Sequence, residues 1–123
     1  MATDALRKTQ TDGQQLREAI DTEYRAARRE GTWGRSEPQI VERWRLALRA
    51  WALAVEAALG DDQTALARFR GAPPSAERVG GESAAWTELR NAVGGKLAEL
   101  ARLIEERGQG PAPPPRPSPF RKR

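Results

Sequence analysis

Residues 36–60 read SEPQIVERWRLALRAWALAVEAALG, and the rest of the chain is organised around them. Ser36 with Gln39 three residues on makes a capping box, and Pro38 fits a first helical turn, where a missing N–H costs nothing. Gly60 suits the positive φ that closes a helix, and Asp61 and Asp62 offer a cap to whatever follows. At about 100° per residue, Ile40, Trp44, Leu48, Trp51, Val55 and Leu59 share one face. Leu46, Ala50, Leu53 and Ala57 share nearly the opposite one. Glu42, Arg45, Arg49 and Glu56 collect in a strip roughly 60° wide, the pattern of a helix flanked by neighbours with a narrow window to water. Arg49 and Glu56 break the apolar run, so it cannot supply the ~20 largely uncharged residues of a membrane span.

The flanking sequence predicts further helices. From Thr11 or Asp12, either with a glutamine three residues on, a helix is expected to reach Glu30 and stop at Gly31. Leu16, Ala19, Ile20, Tyr24 and Ala27 form its apolar face. Residues 1–11, polar with the single Leu6, read as a flexible extension, with a first turn of the next helix as the alternative. The short connection Thr32–Arg35 favours an antiparallel hairpin, with Trp33 plugging the end of the bundle. A short helix over 62–70 would turn Ala65, Leu66 and Phe69 inward, and residues 71–82, with Pro73-Pro74 and Gly80-Gly81, read as a long loop. A last helix over 83–107 carries Trp86, Leu89, Val93, Leu97, Leu100 and Ile104 in a heptad-like stripe. Gly94 and Gly95 interrupt it. Gly94 is expected beside the stripe and Gly95 toward solvent, as a close-packing point, a kink or a hinge.

A helical hairpin with a tryptophan at its turn resembles the small substrates of type VII secretion. Their signature has one residue between Trp and Gly, whereas Trp33 and Gly34 are adjacent here, and no tyrosine-containing export signal follows the last helix. No family is claimed on it.

The predicted fold is therefore all-α, a small three- to four-helix bundle over residues 12–107, followed by a disordered, proline-rich, basic tail over 108–123. The tail holds six of the nine prolines and has no acidic group. Its stretch Pro111-Ala112-Pro113-Pro114-Pro115-Arg116 resembles ligands of Src-homology adaptor domains, which implies docking by Pro111 and Pro114 with Arg116 fixing the orientation. Arg121, Lys122 and Arg123 add a basic terminus.

Composition excludes much chemistry. The 123 residues contain no histidine and no cysteine, which removes disulfides, thiolate nucleophiles, zinc sites on those ligands and imidazole acid–base catalysis. Asp61-Asp62 and Glu105-Glu106 read as a helix cap and a solvated helix end, and the GGK at 94–96 lacks the rest of a phosphate-binding loop. No cofactor or metal is expected. The net charge of +4 lies wholly in the tail, because residues 1–107 hold 17 basic and 17 acidic groups. A nucleic-acid-binding fold concentrates Lys and Arg on one face. Arg25, Arg28, Arg29 and Arg35 are the nearest approach to such a face, and acids are interspersed among them.

The function expected is a non-enzymatic interaction or adaptor module that binds a protein partner or a second copy through Leu46, Ala50, Leu53 and Ala57. A nucleic-acid-associated protein using the arginines and the tail is the alternative. The first residues lack the apolar run of a secretory signal. Eighteen of the 21 basic groups are arginine, a bias that a GC-rich genome also produces. The expected setting is a bacterial cytoplasm.

Overall fold

The computed structural model describes residues 2–75 and 83–108. They form four helices and, among the described residues, no strand: α1 (Ala2–Glu30), α2 (Trp33–Leu59), α3 (Gln63–Arg70) and α4 (Ala84–Gly108). The all-α bundle expected from the apolar periodicities is the fold.

Helices α1 and α2 form the antiparallel hairpin. Gly31, with φ +75°, closes α1, and the Thr32 amide bonds back to the Ala27 carbonyl at 2.9 Å. Trp86 near the start of α4 stacks on Tyr24 near the end of α1, while Leu103 and Ile104 share a core with Leu6 near its start. α4 therefore runs antiparallel to α1 and parallel to α2. A parallel neighbour demands a return along the length of the bundle, and α3 with residues 71–75 begins it.

The core has two lobes. Around the α1–α2 turn, Ile20, Tyr24, Ile40, Val41, Trp44, Trp86, Leu89 and Val93 pack together. At the opposite end Leu6, Trp51, Val55, Leu59, Leu66, Phe69, Leu100 and Leu103 do so. The half-buried Leu16, Leu48 and Leu97 touch both lobes and join them. Aromatic rings dominate the first lobe: Tyr24 and Trp86 stack at 4.4 Å, Trp33 meets Tyr24 edge-on at 4.8 Å, and Trp33 lies over Trp44 at 5.7 Å. These separations fall within or next to the favourable range for ring pairs.

Two boundaries and one face residue depart from the sequence reading. First, residues 2–11 are not an extension but the opening turns of α1, where Leu6 is wholly buried. The hydroxyls of Thr9 and Thr11 bond back to the Leu6 and Arg7 carbonyls, so these threonines continue the helix instead of capping one. Second, α2 begins at Trp33 rather than beyond Ser36, and Thr32 precedes it without a side-chain cap. The extra turn brings Trp33 over Trp44, three turns along the same face. Pro38 consequently sits inside the helix. It lies on the exposed side, as does Gly34, whose carbonyl it deprives of a partner and leaves to water. Third, Ala19 is exposed rather than part of the apolar face of α1.

The short helix α3 matches its expected inward side, with Ala65, Leu66 and Phe69 buried. The Asp62 carboxylate accepts from the Ala65 amide at 3.0 Å, the cap expected there. Polar contacts tie α3 to both neighbours. Arg70 pairs with Glu56 of α2 at 2.8 Å, and Arg68 pairs with Glu99 at 2.7 Å and Glu106 at 2.8 Å on α4. Lys96 of α4 donates to the Phe69 and Arg70 carbonyls at the C-terminus of α3, and burial there pushes its pKa down.

Helix α4 is unbroken at Gly94 and Gly95. Gly95 is buried rather than solvent-facing, because the Pro73-Pro74 backbone lies directly against it. The Ser75 amide then bonds to the Asn91 carbonyl at 2.9 Å. The close approach expected of the pair is made by a loop instead of a helix. The rest of the long loop, residues 76–82, and the tail, residues 109–123, lie outside the described residues.

Candidate interaction face

Helix α2 buries only one side. Ile40, Val41, Trp44, Trp51, Val55 and Leu59 point into the bundle, while Leu46 and Leu53 are 58% and 57% exposed. Ala50 and Ala57, between and beyond them, are exposed as well. The narrow window to water expected on this helix is thus a broad open face, since α1, α3 and α4 all pack on the opposite side. Leu46 and Leu53 are the two large hydrophobic side chains exposed among the described residues. Single exposed leucines are ordinary; two on one stripe, spaced by alanines, make a continuous apolar ridge.

Charged groups border the ridge unequally. Glu42, Arg45 and Arg49 are exposed and make no ion pair among the described residues. Glu56 on the same border is held by Arg70, whose hydrogen bond keeps its pKa below the usual carboxylate value. On the other border Arg43 reaches across to Glu23 of α1, which also accepts from the Trp44 indole N–H at 2.7 Å. That network orients α2 on α1 so that the ridge faces away from the bundle.

The arginines of the alternative reading lie around the α1–α2 turn. Arg25, Arg29 and Arg35 are exposed and form no ion pair among the described residues. Arg28 differs: its guanidinium donates to the Tyr24 hydroxyl and lies 5.6 Å from that ring. The same hydroxyl accepts from the Ser83 amide at 3.0 Å, so Arg28 belongs to the link between the turn and α4.

A third feature is a shallow hollow of about 470 Å³ between α1 and α4, lined by Gln14, Arg17, Glu18, Asp21, Arg90 and Leu97. Nothing in the sequence reading pointed to it. Asp21 pairs there with Arg90 at 3.2 Å, and Arg90 also lies 5.5 Å from the Trp86 ring. Both charges are thus engaged in holding α1 to α4, and Glu18, the second carboxylate, is exposed.

Among the described residues there is no group of three or more His, Cys, Asp or Glu that could hold a metal ion. No helix among them is long and apolar enough to cross a membrane. The tail positions Pro111, Pro114, Arg116, Arg121, Lys122 and Arg123 fall outside the described residues. No protein-family model, curated protein or solved structure matches the chain.

Proposed function

We propose that this chain is a non-enzymatic helical interaction module, an adaptor of a bacterial cytoplasm, that binds a protein through the open face of α2. The observation that carries the reading is the exposure of Leu46 and Leu53 on one stripe, while every other large apolar side chain of that helix is buried or half-buried. An apolar ridge left in water by an otherwise well-packed bundle favours an interaction surface over a purely solvated face. The absence of histidine and cysteine from the chain removes the commonest general base and the thiol nucleophile, which favours binding over catalysis.

A photo-activated cross-linking residue placed at position 53 of the full chain, in the source cells, tests it. Adducts are expected from position 53 and not from position 101, an exposed alanine on α4. Equal labelling from the two positions overturns the reading.

The second reading, association with nucleic acid, is favoured by the exposed Arg25, Arg29 and Arg35 beside the basic tail. It requires binding that falls steeply with salt and that weakens when these three arginines become alanine.

A further inference from the structure

We infer that the occupant of the α2 face is a second copy of this chain, docked antiparallel so that each leucine of one ridge seats on an alanine of the other. The inference rests on the reading of that face as a binding surface and commits it to one partner.

The ridge has the spacing of a coiled-coil seam. Leu46, Ala50, Leu53 and Ala57 follow one another at intervals of four, three and four residues. In an antiparallel pair related by a two-fold axis, placing Leu46 opposite Ala57 also places Ala50 opposite Leu53, and the symmetry repeats both contacts. All four layers then combine one large and one small side chain. Ala47 and Ala54, which border the seam on one side, put no bulk between the helices.

Charge complementarity selects the same register. The other border carries Glu42, Arg49 and Glu56 at heptad spacing. Antiparallel pairing brings this border against its own copy, and the Leu46–Ala57 register sets Arg49 of each chain about 3 Å along the axis from Glu56 of the other. The contact therefore joins opposite charges twice. Arg49 is available for it, being exposed with no ion pair among the described residues. Glu56 retains its bond to Arg70 and offers its second oxygen. A parallel pair would set the charged border against Ala47 and Ala54, where the one nearby charge, Arg43, is already paired with Glu23.

One helix pair is a small interface, at the low end of those that form specific complexes, so the dimer is weak and concentration-dependent. Sedimentation equilibrium of the full chain, from micromolar to millimolar, is expected to show mass rising from 13.6 kDa toward about twice that value. Arg49→Glu is expected to weaken association about tenfold, an effect that salt diminishes. Because the chain has no cysteine, geometry is read directly from introduced ones. Leu46→Cys mixed with Ala57→Cys is expected to give a disulfide-linked dimer. Neither alone does so, since like positions lie eleven residues apart along the axis, about 16 Å. A single mass of 13.6 kDa at every concentration overturns the inference. So does linkage of Ala57→Cys to itself as readily as to Leu46→Cys. The cross-linking from position 53 in cells decides the broader reading independently, because an adduct of another mass retains it while self-association is lost.

Discussion

Gly95 has no side chain because the Pro73 carbonyl and the Pro74 backbone occupy the space where a Cβ would stand. Gly13 is the equivalent point on α1: a Cβ there would overlap the Trp51 ring, whose indole N–H donates to the Thr9 carbonyl at 2.7 Å. Gly94 is different, since its Cβ would meet only the Ser75 hydroxyl at 3.0 Å, a side chain bonded to Asn91 that needs to give by a few tenths of an ångström rather than a backbone that cannot move. These positions make a graded set. Gly13→Ala and Gly95→Ala are expected to lower stability by about 1–3 kcal/mol each through overpacking. Gly94→Ala is expected to lie close to wild type, because up to ~1 kcal/mol of helix propensity offsets the displaced serine. Urea denaturation of the three variants checks the order, and Gly13→Ala should also shift the tryptophan emission. The sequence marked 94–95 as unusual but could not say what approached, because the Pro73-Pro74 segment is some twenty residues away in the chain. At Gly13 the neighbouring Asp12 and Thr11 imitated a helix start and concealed a packing contact.

Elements were legible wherever their apolar period was long. The stripe from Trp86 to Ile104 is on the buried face of α4 as read, with Leu97 half-buried. Ala65, Leu66 and Phe69 alone indicated how α3 would turn. What failed was the start of α1, where a single leucine stood among polar residues and gave no period to detect. Its burial makes a strong expectation: Leu6→Ala should cost about 2–5 kcal/mol, measured by urea denaturation, whereas an extension would tolerate it without loss. α3 also has a pH dependence of definite sign. Arg70, the Ala65 amide with Arg107, and Arg68 hold Glu56, Asp62 and Glu106 respectively below their ordinary pKa values. Depressed carboxylates stabilise the folded state above their unfolded pKa values and lose that contribution as pH falls through the folded ones. Hydrogen exchange of α3, corrected for intrinsic rate, should therefore be slow from pH 7 to 5 and accelerate below about pH 4, ahead of the core of α1 and α4. Uniform loss across all four helices would show that the ion pairs do not hold α3 separately.

At the scale of the molecule, charge and apolar surface point to different partners, and the two can be separated. Residues 1–107 are balanced, and the excess of positive charge lies in 108–123. Within the bundle, Arg68, Arg70, Arg90 and Arg107 are spent on ion pairs between elements, which leaves Arg25, Arg29 and Arg35 as the exposed cluster near the turn. The sequence showed the balance of charge but not its division, because Asp62 and Arg107, 45 residues apart, are paired only by the fold. The apolar ridge, by contrast, was legible, since one helix carries all of it. If the α2 face is the working surface, Leu46→Glu with Leu53→Glu should abolish protein association while leaving the helical circular dichroism and the unfolding midpoint near wild type, both side chains being exposed already. Polyanion binding should be insensitive to that pair. Deleting 108–123 should instead remove retention on a heparin column, because non-specific affinity follows the number of phosphates or sulfates neutralised and the remaining fold has no net charge to offer. Retention that survives the deletion and disappears with Arg25→Ala, Arg29→Ala and Arg35→Ala would move the function to the turn. Retention lost with the tail alone assigns polyanion binding to residues 108–123 and takes the turn arginines out of it.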